Sequence, residues 1–224
     1  MTDWAGFILA NTEIAAPPLV PELRLRLATA VTPLWQATEA FLERSGLAPP
    51  YWAFAWPGGQ ALARHILDHP EIARGRTVLD FAAGSGLAAI AAARAGAGRV
   101  LACDIDPAAC AAMRLNAAVN EVEIEIRLAD ITGGAELAAE VILAGDVCYE
   151  RAMAAAVSGW LARQARLGAT TLLADPGRSY PPREGLREVA RYRVPTSRDL
   201  EDSEERETVV WRVDARRSSN MMQP

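Results

Sequence analysis

The sequence contains no lysine; all 23 of its basic residues are arginine. This excludes a P-loop, which needs GK[ST], a pyridoxal Schiff base and the strand lysine of a protein kinase. The Tyr-x-x-x-Lys pair of short-chain dehydrogenases is excluded as well. Histidine is nearly as scarce. His65 and His69 stand one helical turn apart, but no HExxH surrounds them, so no metal is expected. Cys103, Cys110 and Cys148 are odd in number and form no CxxC. Reduced thiols are the reading, not a disulfide framework. No stretch approaches the roughly 18 apolar residues of a membrane span. The first twenty residues carry no Arg or Lys, so neither a signal peptide nor a transit peptide is expected, and the cytoplasm is the expected location. Net charge is −5. That opposes nucleic-acid binding, which needs a basic face, and favours a basic partner.

What is present suits one globular domain: 224 residues, 51% hydrophobic. An irregular start ends at residues 17–21 (PPLVP). Residues 22–45 read as helical from Leu23, Leu27, Leu34, Ala37, Phe41 and Leu42, with Pro33 dividing them into two helices. An aromatic segment follows, Tyr51-Trp52-Ala53-Phe54-Ala55-Trp56, then a helix over 59–67. From Arg76 strands alternate with helices. Strands are predicted at 77–81, 99–103, 123–128, 141–144 and 169–174, and a closing pair at 188–194 and 208–214. The pattern predicts an α/β fold, with a mostly parallel sheet covered on both faces and one antiparallel strand. Asn116 and Asn120 read as surface or capping groups on the helix after the second strand.

Open parallel sheets bind ligands at the carboxyl ends of their strands. The first core strand ends in Asp80-Phe81-Ala82-Ala83-Gly84-Ser85-Gly86. Gly84 and Gly86 permit a tight turn and a close backbone approach, and the helix behind them offers unpaired N–H groups. Asp104 ends the second strand, where a carboxylate can accept both hydroxyls of a ribose. Asp130 follows the third strand, within reach of an adenine amino group. Gly84–Ala89 matches GxGxxA, the dinucleotide fingerprint. The competing ligand is S-adenosyl-L-methionine (SAM), whose loop begins with an acid, in the pattern D/E-x-G-x-G-x-G. Asp80 supplies that acid, and beside a pyrophosphate it would be repulsive. SAM is therefore favoured, although Ala82 replaces the first glycine. On this reading the donor contacts are Asp80, Gly84, Ser85, Gly86, Asp104, Ile105, Asp130 and Ile131.

The fourth strand ends in Ala144-Gly145-Asp146-Val147-Cys148-Tyr149. Asp146 can hold a cationic amine and Tyr149 can border it with its ring. The D-x-x-[YF] pattern resembles the motif after this strand in seven-stranded protein-lysine methyltransferases. Residues 49–63 (PPYWAFAWPGGQALA), 143–149 (LAGDVCY), 174–178 (ADPGR) and 18–22 (PLVPE) resemble the electron transfer flavoprotein β-subunit lysine methyltransferase family, and the similarity covers most of residues 17–215. The resemblance implies a Rossmann-like seven-stranded class I methyltransferase in one domain over 1–224. An N-terminal helical extension would occupy 1–55 and a SAM-binding core 56–215. It also implies that Trp56, Gly84, Gly86, Asp104 and Asp130 contact SAM, that Asp146 and Tyr149 bound the acceptor lysine, and that the flavoprotein β-subunit is the partner. A small amine or a ribosomal protein as acceptor, and a nicotinamide oxidoreductase, are the alternatives. The loop Arg198–Glu207 would lie on the active-site rim if the sixth strand runs parallel to the first five. There its acids would attract a basic surface, or it would be a solvated hairpin.

Overall fold

The computed structural model describes residues 3–29, 34, 49–133, 138–182 and 184–215. The chain opens with helix α1 (Trp4–Asn11), whose first turn is capped by the Asp3 carboxylate accepting from the Gly6 N–H at 2.9 Å. Strands β1 (Glu13–Ala15) and β2 (Leu25–Leu27) then pair antiparallel. The start is therefore not irregular, and the helix expected over 22–45 is a strand at Leu25–Leu27. Apolar Leu23, Leu25 and Leu27 alternate with Arg24 and Arg26, a period of two that buries the leucines and turns the arginines aside. Apart from Leu34, the rest of that expected helix beyond residue 29 lies outside the described residues. Among those described, the extension is mixed α and β.

Helix α2 (Pro57–Asp68) begins with Pro57 at its first position, where a missing N–H costs nothing. The core strands follow in the expected places: β3 (Thr77–Phe81), β4 (Arg99–Asp104), β5 (Glu125–Leu128), β6 (Val141–Gly145) and β7 (Thr170–Asp175). Between them run α3 (Leu87–Arg94), α4 (Pro107–Val119) and α5 (Arg151–Arg166). Strand β8 (Leu186–Pro195), the single helical turn α6 (Arg198–Glu201) and β9 (Glu205–Val213) complete the described chain. The sheet order is β5-β4-β3-β6-β7-β9-β8. Five strands are parallel. β9 is antiparallel to both of its neighbours, which leaves β8 parallel to the five. The order reverses between β3 and β6, the switch point at which open sheets leave a crevice.

Alternation along each strand serves two cores. Val78, Val100, Val141 and Leu143 face α2, α3 and α4 on one side. Leu79, Leu101, Ile142 and Leu173 face α5, through Val157, Trp160 and Leu161, on the other. Helices α3 and α4 present mostly alanine to the sheet and so lie close to it.

The two asparagines are not on the surface: Asn120 caps the C-terminal end of α4, as expected, and Asn116 is fully buried within the helix. Its Oδ1 accepts from the Arg26 N–H at 2.8 Å, and its Nδ2 donates to the Ser85 carbonyl at 2.8 Å. Asn120 accepts from the Arg24 N–H and donates to the Arg24 carbonyl. Together they supply the hydrogen bonds that β2 lacks on its open side. Asn116→Ala strands a buried N–H and a buried carbonyl, so it should destabilise the fold by about 2–4 kcal/mol, read as a lowered urea midpoint.

Candidate active site

A cavity of about 560 Å³ opens at the carboxyl ends of the parallel strands, over the switch point. One wall is the loop after β3. Ala82, Gly84 and Gly86 all have positive φ, at 51°, 53° and 78°. The position where the sequence pattern lacks its glycine is thus still left-handed, and Ala82 adopts the conformation at a steric cost. Asp80 lies beneath the loop, buried, with its Oδ2 accepting from the Ala89 N–H in the first turn of α3 at 2.9 Å. Burial pushes its pKa up to about 7; the Ala89 N–H acts the other way and Asp104 adds to the rise. Asp104 reaches back from the end of β4. Its Oδ2 accepts from Gly84 N–H at 2.9 Å and its Oδ1 from Asp106 N–H at 3.0 Å. One carboxylate therefore shapes the loop and keeps lone pairs free for the cavity.

Ser85 lines the cavity, although its carbonyl is turned to Asn116. Ile105 forms an exposed part of the rim. Asp130 and Ile131 are not brought to this wall. Asp130 is exposed and its Oδ1 accepts from the Thr132 N–H and hydroxyl, while Ile131 is buried against the α5 face of the sheet. Both are absent from the cavity lining.

The opposite wall is built where β6 meets the start of α2. Gly58 and Gly145 leave no clearance there. A Cβ on Gly58 would sit 2.5 Å from Asp146 Oδ2, and one on Gly145 would sit 2.9 Å from the Gly59 nitrogen. The close approach lets Asp146, itself at φ 56°, cap the helix: its Oδ2 accepts from the Gly59 N–H at 3.0 Å. The WPGG and AGD segments, 87 residues apart, are two halves of one joint. Burial pushes the Asp146 pKa up to about 6, with Arg178 acting in the opposite direction. Arg178 donates to Asp146 Oδ1 at 3.1 Å and lies 5.7 Å from the Trp56 ring centre.

Aromatic rings close the cavity above Asp146. Tyr51 lies 5.6 Å from Tyr149 and 6.0 Å from Trp56, and Phe54 lies 5.7 Å from Trp56. The Trp56 indole N–H donates to the Tyr51 carbonyl at 2.7 Å, which fixes the ring. Trp52 also lines the cavity but packs beneath it against Phe7 of α1. Arg178 and Tyr51 were not placed in the site by sequence reasoning. The DPGR turn held a signal for the first: Asp175 accepts from the Gly177 and Arg178 N–H groups at 2.8 and 2.7 Å and so sets the arginine's direction. His65 lies away from the cavity, 3.2 Å from the Tyr192 hydroxyl.

The loop between β8 and β9 lies at the same end of the sheet, as a parallel β8 requires. Its acids divide between one buried group and several exposed ones. Glu201 is buried against Arg178 and Arg206, and Glu204, Glu205 and Glu207 pair with Arg198, Arg193 and Arg191.

This sheet order, with a glycine loop after its first core strand and an acid ending the second, defines a class I methyltransferase. The magnesium protoporphyrin IX methyltransferase from Synechocystis PCC 6803, solved with bound SAH, shares the fold: TM-score 0.51 at 14% identity, over 70% of this chain and 81% of that one. A family model described as ribosomal protein L11 methyltransferase (PrmA) matches residues 61–148. Relatives match over nearly the full chain. The electron transfer flavoprotein beta subunit lysine methyltransferase of Xenopus laevis is 40% identical, over 92% of this chain and 85% of that protein. Its Danio rerio counterpart is 37% identical, over 96% and 84%. The chain belongs to the electron transfer flavoprotein beta subunit lysine methyltransferase family.

Two consequences can be measured. Gly58→Ala forces a Cβ into Asp146 and should lower stability by about 1–3 kcal/mol, whereas Ala82→Gly relieves a left-handed alanine and should raise the melting temperature by about 1–3 °C. Thermal unfolding of the two variants checks both signs. The second concerns pH. Burial raises the folded pKa of Asp80 and Asp146 above the unfolded value, so their contribution to stability is full below about pH 4. It is lost as the pH rises through about 6 for Asp146 and about 7 for Asp80. The urea midpoint of the wild type should fall between pH 5 and pH 8, and Asp80→Asn should flatten that fall.

Proposed function

We propose that the cavity binds SAM and that the protein methylates lysine side chains of the electron transfer flavoprotein β-subunit. One observation carries the reading: a single cavity runs from the Asp104 carboxylate and the glycine loop to the Asp146 carboxylate under an aromatic rim. The first end suits an adenosyl group with its ribose hydroxyls on Asp104, and the buried Asp80 suits the cationic amino-acid end. A dinucleotide pyrophosphate would instead lie against Asp80. When bound, SAM supplies an electrophilic methyl carbon.

The chain's own residues prepare the acceptor. An amine is nucleophilic only when neutral, and neutralising a lysine at pH 7 costs about 4–5 kcal/mol. Burial between Tyr51, Trp56 and Tyr149 lowers that cost by disfavouring the ammonium. Asp146 answers the Gly59 N–H and Arg178 and still has lone pairs to orient the amine. Its Gly59 bond and Arg178 contact hold the carboxylate in one place, so the acceptor nitrogen meets a fixed partner and proximity supplies the larger rate term. Water takes the proton, since neither histidine lines the cavity. The family's named substrate supports the choice of partner, because members 40% and 37% identical carry it in their names.

Asp146→Asn should lower methyl transfer by about 100-fold or more while the affinity for SAH, measured by calorimetry, changes less than about threefold. Tritiated SAM with the purified flavoprotein β-subunit reads the first quantity. Equal loss of both would make Asp146 a donor ligand, and no label on the β-subunit would overturn the partner.

A further inference from the structure

Behind Asp146 stands a charge cluster of which the reaction scheme above uses only the Arg178 contact. Arg178 is its centre. Its Nη2 reaches Asp146 Oδ1 at 3.1 Å and Glu201 Oε1 at 2.5 Å, and its Nη1 donates to Glu201 Oε2 at 3.0 Å. Glu201 comes from α6, in the connection between β8 and β9, and its side chain is 1% exposed. Arg206 holds the same glutamate from behind, with Nε 3.2 Å from Oε2 and Nη2 donating to the Glu201 carbonyl at 2.8 Å. Asp175 fixes the backbone from which Arg178 departs.

An arginine can bridge two carboxylates because its donors lie in a rigid plane; an ammonium cannot hold the same two directions. The bridge here is built from both sides, with Glu201 fully enclosed, and it ends on the oxygen of Asp146 that Gly59 does not occupy. The charged and titratable groups facing Asp146 are Arg178 from the turn after β7, Glu201 behind it, Asp175 at the end of β7 and the Cys148 thiol beyond the β6 turn; α2 contributes the Gly59 N–H. Arg178 is the one cation among them.

We propose that Arg178 is a positioning residue: clamped by Glu201, it holds the Asp146 carboxylate in its acceptor-facing orientation and supplies its counter-charge. Glu201 makes the β8–β9 connection part of the active site, although no atom of it need touch the acceptor. The effect on turnover rests on the lysine-methyltransferase reading; the effect on Asp146 does not.

The test combines turnover with carboxyl carbon-13 titration of Asp146 in the full chain. Arg178→Met should raise the Asp146 midpoint, and the acidic limb of the kcat profile, by about one pH unit or more, because an opposite charge at hydrogen-bond range is lost. Arg178→Lys keeps the charge and loses the fork. It should hold the midpoint within about half a unit and still lower kcat about tenfold. Glu201→Gln should lower kcat about tenfold with KM for the β-subunit within about twofold, and should not raise the midpoint. If Glu201→Gln does not fold, Arg178→Lys alone decides the positioning claim. An unmoved midpoint in Arg178→Met, or full turnover in Arg178→Lys, overturns the proposal. A wild type that leaves the β-subunit unlabelled while the midpoint moves as stated refutes the substrate and supports the Arg178–Asp146 pairing.

Discussion

The architecture depends on how closely the start of one helix can approach the end of one strand. Pro57, Gly58 and Gly59 let α2 press onto β6 at Gly145, and Asp146 then closes the junction by taking a helix N–H that has no partner of its own. Two residues without side chains and one carboxylate at positive φ are needed together. Any side chain at the contact would push the helix outward and carry Trp56, the residue just before it, away from the cavity. The same contact therefore sets the position of Trp56 in the aromatic wall and of the Asp146 carboxylate below it.

Electrostatics at the other end follow a similar economy. Asp80 and Asp104 both accept backbone N–H bonds from the segment that they help to shape. Each is a structural acceptor and keeps oxygen lone pairs toward the cavity. Burial raises the pKa of Asp80 at this end and of Asp146 at the other, and both line one cleft, the pattern expected of a site whose carboxylates serve a ligand as well as the fold.

Much of this was legible in the sequence because its signals were local. Strand 77–81 and helix 151–166 fall where the apolar runs and polar breaks place them. The glycine loop and the acids at 104 and 146 announce themselves by residue type and spacing. The failures are long-range. Leu23, Leu25 and Leu27 fit a strand as well as a helix, and the choice is made by Asn116 and Asn120, some 90 residues away. Those asparagines look like surface groups until the segment they clamp is known. Beyond the DPGR turn, Arg178 carries no local signal of its role, because its partner is Glu201, 23 residues on, within a loop whose charges also read as a solvated hairpin. Asp130 drew attention by position after a strand, a local signal; its Oδ1 turns to Thr132 two residues later and the residue stays outside the cavity lining.

The asparagine clamps carry a consequence for synthesis. Val20, Leu23 and Leu25 have no exposed surface in the finished protein, and on the side of the strand away from β1 the backbone N–H groups of Arg24 and Arg26 are bonded by Asn120 and Asn116. A ribosome produces this segment long before it produces residue 116. The leucines pack on Ala63, Leu87 and Ile90, which also come later, and until residue 116 exists one edge of the strand has no partner. The beginning of this enzyme is therefore made first and fitted late, after the helices that cover it have been translated.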